Sequence, residues 1–219
     1  MIIVFLGPPG SGKGTQAQRL ETDHQFFHFD TGSRLREEAA SGTELGERIA
    51  SYINAGNLVP IEVIEDLITS FFAGVRADRI MFDGFPRNLE QAKVLASALA
   101  SHGLELDHVI YLELEQSALL SRIENRRYCE TCGTIFNTAS NPHTLPCVNG
   151  RVDCVLTQRK DDNPEVFKQR LKVYMNETLP VLDYYLERDL LRRIDGSQPI
   201  ESVNASMLEI LDLDPDAAA

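Results

Sequence analysis

A glycine-rich run, Gly7-Pro8-Pro9-Gly10-Ser11-Gly12-Lys13, follows an apolar stretch directly. Its spacing fits G-x-x-x-x-G-K, in which a loop turns its backbone N–H groups inward around a phosphate. The glycines permit the tight turn, the start of the next helix adds partial positive charge, and Lys13 can reach the terminal phosphates of a nucleotide. In the usual pattern a Ser or Thr follows the lysine and its hydroxyl binds Mg²⁺. Here Gly14 follows, with Thr15 one position later, so Mg²⁺ is expected to be held mainly by phosphates and waters. The loop implies nucleotide binding and leaves the reaction open. A glycine-rich turn carrying an unrelated lysine is the alternative.

A second group stands at Ile80-Met81-Phe82-Asp83-Gly84-Phe85-Pro86-Arg87. An acid at the carboxyl end of a buried parallel strand faces the ligand crevice. Asp83 is therefore placed to orient waters on Mg²⁺, and Arg87 to clamp a phosphate. Arg122 and Arg126 are four apart in what reads as one helix, so they project from one face, while Leu119, Leu120 and Ile123 can bury the other. Alone, such a pair reads as surface charge. Beside a phosphate loop it reads as part of a cage, because phosphoryl transfer is stabilised by positioned cations and needs no side-chain nucleophile. Arg159 and Arg170 flank Lys160-Asp161-Asp162-Asn163-Pro164, a hinge into a helix beginning near Pro164. Asp161 and Asp162 either pair with arginines or cap that helix.

The four cysteines, Cys129, Cys132, Cys147 and Cys154, all fall within one short stretch. Clustering of this kind points to metal rather than to a disulfide framework. Cys129-x-x-Cys132-Gly133 is half of a zinc site, and Cys147 with Cys154 offers the other half at a longer spacing. Asp153 or His143 could replace one thiolate. The alternative is a lobe held by hydrogen bonds, with free thiols. A zinc ion here would be structural, stabilising a lobe too small for its own core.

These groups must be carried by elements. Short strands are expected at 2–6, 26–29, 79–83, 108–113 and 191–195. Helices are expected at 13–22, 33–39, 44–54, 61–72, 89–101, 116–127, 164–187 and 200–211. Strands alternating with helices predict an α/β fold in which a parallel five-stranded sheet is flanked by helices. Residues 31–59 are helical throughout, and 128–158 would be a long loop for a compact domain, so it reads as a separate lobe. The tail from 212 is expected to fray. The chain of 219 residues is 43% hydrophobic and carries a net charge of −12. That charge argues against broad binding of nucleic acid or anionic membranes. There is no apolar run long enough to span a bilayer, and the N-terminus reads as a strand entering a loop rather than a signal peptide. A cytoplasmic protein is expected.

Together, Gly7 to Thr15, Thr31-Gly32 with Arg36, Asp83 to Arg87 and Arg159-Lys160-Asp161-Asp162 resemble the adenylate kinase family over nearly the whole chain. The resemblance implies a core domain of residues 1–29, 60–124 and 163–219, an AMP lobe at 30–59 and a lid at 125–162. It implies ATP binding by Gly10, Ser11, Gly12, Lys13, Gly14, Thr15, Arg122, Arg126, Ile135, Phe136 and Gln198. Asn137 stands where zinc-free lids commonly have histidine. AMP would be held by Thr31, Arg36, Asn57, Leu58, Val59, Gly84, Phe85, Pro86, Arg87 and Gln91, with Arg159 and Arg170 swinging onto the phosphates as the lid shuts. The catalytic set it implies is Lys13, Asp83, Arg87, Arg122, Arg126, Arg159 and Arg170. Arginines suit the phosphate, and a Gln amide can read an adenine edge.

Thr31 points to AMP, since relatives acting on UMP and CMP tend to carry Ala there. The family usually has Asp two residues after this Thr. Here Ser33 stands there and Asp30 precedes the Thr, which changes the expected network of metal-bound water. Arg34 reads as a solvated helix residue. The implied reaction is MgATP + AMP ⇌ 2 ADP, by a monomer whose partners are the small molecules ATP, AMP and ADP, with Mg²⁺ and a lid zinc. The rivals are a kinase for UMP or CMP, a P-loop switch or motor, and a noncatalytic zinc module. The chain has no Asn-Lys-x-Asp guanine-reading motif, which weighs against the switch.

Overall fold

The computed structural model describes residues 1–131, 134–139, 155–159 and 162–215. Cys132, Gly133, His143, Cys147, Asp153, Cys154, Lys160, Asp161 and the last four residues of the tail lie outside them.

The centre is an all-parallel sheet. In chain order its strands are β1 (Ile2–Leu6), β2 (Phe27–Asp30), β3 (Ile80–Asp83), β4 (His108–Glu113) and β8 (Leu191–Asp195), arranged 2-3-1-4-8. β1 lies between β3 and β4, with Val4 opposite Phe82 on one side and Val109 on the other. Every residue of β1 is buried, as both faces of a covered parallel sheet require. Successive side chains point to opposite faces. Ile2, Val4 and Leu6 enter a large core with α4 (Ile61–Gly74), α5 (Leu89–Ser101) and α8 (Leu179–Leu186), built around Phe29, Phe71, Phe72, Phe82 and Phe85. Ile3 and Phe5 enter a second core with Ala17 and Leu20 of α1 (Lys13–His24) and Val203, Met207 and Leu208 of α9 (Ile200–Ile210).

Between β2 and α4 lie α2 (Thr31–Ala39) and α3 (Glu44–Asn54), each started by a side-chain cap. Asp30 accepts from the N–H of Ser33, and Thr43 from that of Gly46. After α6 (Gln116–Glu124) a small antiparallel sheet forms from β5 (Arg126–Cys129), β6 (Ile135–Asn137) and β7 (Leu156–Thr157), in the order 6-5-7.

Several expectations from the sequence need correcting. The helix expected to run to 127 ends at Glu124, and Arg126 begins β5, paired with Asn137. Arg122 and Arg126 therefore do not share a helix face. A strand partner supplied by β6 overrides the helical pattern, since pairing of this kind is decided by tertiary context. Leu119 and Ile123 are buried as expected, whereas Leu120 is 39% exposed, because only one stripe of α6 meets the core. The helix expected at 164–187 is interrupted. α7 (Pro164–Val173) passes into a π turn at Tyr174–Thr178, where the N–H of Leu179 donates to Tyr174 O, five residues back. Pro180 lacks an N–H and its ring crowds the preceding turn, and a widened turn accommodates both. Asn163, not Asp162, caps α7 by accepting from the N–H of Val166.

Candidate functional site

The phosphate loop leaves β1 beside the crevice at the carboxyl ends of β1, β3 and β4. Gly7 has φ of +151°, and a Cβ there would lie 2.7 Å from Ser11 Oγ. Gly12, at φ +102°, is the N-cap of α1 and supplies no side-chain cap. The first turn of α1 has no acidic residue, so its N–H groups are left for an anion. Lys13 Nζ donates to the carbonyl oxygens of Gly7 (2.8 Å) and Pro8 (3.1 Å), and to Ser11 Oγ at 3.5 Å. Burial of the ammonium lowers its pKa to about 8, with Asp83 opposing and Arg87 and Arg170 reinforcing the shift.

Asp83 is buried at the end of β3. Burial would raise its pKa, but His28, Lys13 and Arg87 outweigh this and hold it below the usual carboxylate value. His28, on β2, brings Nε2 to 3.6 Å from Asp83 Oδ2 and Nδ1 to 3.8 Å from Glu21, ion-pair distances too long for hydrogen bonds. Desolvation would lower the His28 pKa, yet Asp83, Asp30 and Glu21 raise it overall. His28 did not emerge from the sequence. The alternation Phe27-His28-Phe29, with Phe29 fully buried, was the available signal, since it sends His28 to the opposite face of the sheet. A Cβ on Gly14 would lie 3.0 Å from Ile135 Cδ1 of β6 and 3.9 Å from Asp83 Oδ2. The missing side chain after Lys13 thus leaves room for Ile135. Asp83 remains an ionised oxygen donor, a chemistry suited to Mg²⁺ through bound water.

Two cavities open beside the loop. The first, of about 560 Å³, is lined by Thr31, Arg36, Asn57, Leu58, Val59, Gly84, Arg87, Gln91 and Arg170, all expected, and by residues not foreseen, including Leu35, Ile53 and Ile64. Thr31 is buried and its Oγ1 has no hydrogen-bond partner, a state a bound ligand would relieve. Gln91 Oε1 accepts from the N–H of Arg87 at 2.8 Å, and Arg87 Nε donates to Gly84 O at 2.8 Å. The second cavity, of about 520 Å³, is lined by Gly7, Lys13, Pro86, Arg87, Arg170, Tyr174 and Thr178 among others. Thr178, in the π turn, donates to Arg87 O at 2.8 Å. Phe85 lines neither cavity and is wholly buried in the core.

Arg122 donates to Ser11 O (3.3 Å) and Gly196 O (2.9 Å), tying the phosphate loop to the end of β8. Arg126 and Asp162 form a bidentate pair, with Nε donating to Oδ2 at 2.8 Å, and Arg170 lies 3.7 Å from the same carboxylate. Asp162 is almost fully buried, so of the two readings left open it takes the ion pair. Arg159 stands 5.8 Å from the Tyr128 ring centroid. Arg34 is not simply solvated, since its guanidinium lies 4.6 Å from the Phe29 ring centroid. Gln198 is exposed and donates to Asp195 at 2.9 Å. Gln198 and Ser197 together hold the Asp195 pKa down to about 2.

Ile135 and Phe136 point apart. Ile135 faces Gly14, while Phe136 packs with Cys129 and Leu156 inside the small sheet. Gln18 of α1 donates to Thr134 Oγ1 at 3.3 Å, so this sheet lies against the phosphate-loop helix. Among the described residues no group of three or more His, Cys, Asp or Glu could hold a metal ion. Of the four cysteines only Cys129 is described. It is buried, and its N–H donates to Thr134 O at 2.9 Å.

A family model described as Adenylate kinase matches residues 5–190. Among similar proteins, an adenylate kinase of Thermosipho africanus is 39% identical over 215 residues, covering 96% of this chain and 99% of that protein. One from Bacillus subtilis is 37% identical over 212 residues (96% and 98%), and one from Staphylococcus aureus strain MW2 is 38% identical over 216 residues (97% and 99%).

Proposed function

This chain belongs to the adenylate kinase family, and from that premise we propose how its own residues carry out the reaction MgATP + AMP ⇌ 2 ADP. The observation that carries the assignment of roles is the first cavity, where an orphaned Thr31 hydroxyl and the Gln91 amide sit with Arg36 and Arg87. AMP occupies this cavity, its base toward Thr31, Gln91 and the 57–59 backbone, its phosphate toward Arg36 and Arg87. The ATP phosphates lie on the loop from Gly10 to Thr15 and at Lys13, which exchanges its loop carbonyls for them.

An AMP phosphate oxygen attacks the γ-phosphorus in line. The bond to the β–γ bridging oxygen breaks, and the electron pair leaves with ADP. Lys13, Arg87, Arg122, Arg126, Arg159 and Arg170 spread charge over the transferred group. Asp83 would hold Mg²⁺ through bound water, and the ion when bound supplies charge neutralisation at the phosphate oxygens. The elements divide into a core (1–29, 60–124, 163–219), an AMP lobe (30–59) and a lid (125–162) whose closure excludes water as a rival acceptor.

The C-x-x-C spacing and the burial of Cys129 support a structural zinc held by Cys129, Cys132, Cys147 and Cys154. The net charge of −12 supports small-molecule partners rather than nucleic acid. No helix among the described residues is long and apolar enough to cross a membrane, and a cytoplasmic monomer fits these features. In a coupled assay of ADP formation, Lys13→Ala and Arg87→Ala should each lower kcat by roughly 10²–10³-fold, as loss of a charge-stabilising donor does. Near-normal rates in both would overturn these roles.

A further inference from the structure

We propose that Asp30 and Ser33 act together as positioning residues for Arg36, and through it for the monophosphate substrate; this rests on the first cavity being the AMP site. Arg36 and Arg87 both line that cavity. The guanidinium of Arg36 lies across Gly32, where a Cβ would be 3.0 Å from its Nη1. The guanidinium of Arg87 lies across Gly84, where a Cβ would be 3.2 Å from its Nη2. Two cations facing one cavity repel when no phosphate is between them, and Arg36 sits on a long, flexible side chain that loses entropy when fixed.

Asp30 and Ser33 offset both effects. Asp30 ends β2 opposite Asp83 in the strand register. Its Oδ1 accepts from the Ser33 N–H at 3.0 Å, and its Oδ2 accepts from the Ser33 hydroxyl at 2.5 Å. With that proton committed to the carboxylate, the Ser33 oxygen turns its lone pairs to Arg36, whose Nη2 donates to it at 2.9 Å. The same Nη2 is 3.7 Å from Asp30 Oδ2. Charge thus runs Arg36 to Ser33 to Asp30 through a cooperative chain, and the carboxylate is locked by the helix cap it also forms. Neither residue reaches the cavity lining, so their effect on substrate passes through Arg36.

Ser33→Ala removes the relay and leaves the cap acceptor in place. Asp30→Asn keeps a good N-cap and removes the charge. Steady-state kinetics with each substrate varied should show KM for AMP raised about tenfold in both, as loss of one charge-assisted hydrogen bond predicts, with KM for ATP changed less than twofold. Calorimetric AMP binding should weaken in parallel, and the thermal midpoint of Ser33→Ala should stay near wild type. Ser33→Thr, which retains the hydroxyl, should restore AMP affinity. Unchanged KM for AMP in Ser33→Ala, or equal rises for AMP and ATP, would overturn the inference. A wild-type chain that binds AMP tightly while Arg36→Ala does so equally well would instead move AMP out of this cavity and remove the reading beneath it.

Discussion

Lys13 keeps its ammonium against three oxygens of its own loop, and burial brings its pKa down to about 8 from an ordinary 10.5. Between those values the unfolded chain carries a proton that the folded chain has released. The stability contributed by this group therefore rises with pH across that window, and below it the buried charge is a constant cost. Phosphate reverses the preference by favouring the charged lysine. ATP binding near pH 8 should accordingly take up protons, and affinity should fall as pH climbs beyond it. Calorimetry in two buffers of different ionisation enthalpy would read the uptake; identical heats would separate Lys13 from the phosphates. The lysine was legible because its motif constrains residue types at fixed spacing. His28 and Asp162 were not assignable, because their partners Asp83 and Arg126 come from distant parts of the chain and meet only once the sheets form.

At the scale of elements, the central strands and most helices were legible because long apolar periodicity dominates there. The failures fall where a local pattern meets a competing partner. Residues 125–127 read as helix, but Arg126 to Tyr128 find an antiparallel partner in Ile135 to Asn137. Pro180 lies within the run read as one helix, and the widened turn it accompanies brings Thr178 to the carbonyl of Arg87. Among the described residues, the apolar cluster of the small three-stranded sheet is Cys129, Phe136 and Leu156, a small core of the kind that a structural metal commonly supplements. The zinc reading predicts one zinc per chain by metal analysis of the pure protein. Chelation should lower the thermal midpoint and expose thiols to titration. Pure protein that contains no zinc as isolated, with all four thiols titrating freely before any chelation, would reject it.

Across the whole molecule, the sheet separates two cores, and the larger is organised on aromatic rings. Phe82 is fully buried at its centre, 5.5 Å from Phe29, 5.6 Å from Phe71 and 6.2 Å from Phe85 by ring centroids. Phe82→Ala should cost about 3–5 kcal/mol of stability, read as a lower midpoint in denaturant unfolding. Because Phe82 immediately precedes Asp83, and Phe85 follows Gly84, the same change should also loosen the site. A loss under about 1 kcal/mol would mean the core collapses into the gap.

The net charge of −12 was visible from composition, but the gathering of Lys13, Arg36, Arg87 and Arg170 around two adjoining cavities needed the fold. Those cavities share a wall formed by Gly56, Leu58, Gly84, Arg87 and Arg170. With AMP in the first cavity and the ATP phosphates on the loop, as proposed, a phosphate on either side would draw on the same two arginines. Occupancy of one cavity would therefore alter the free energy of filling the other. By thermodynamic linkage the factor is identical whichever nucleotide arrives first. On the proposed assignment the enzyme would have an inbuilt interaction energy between its substrates, carried by the two side chains that line both cavities.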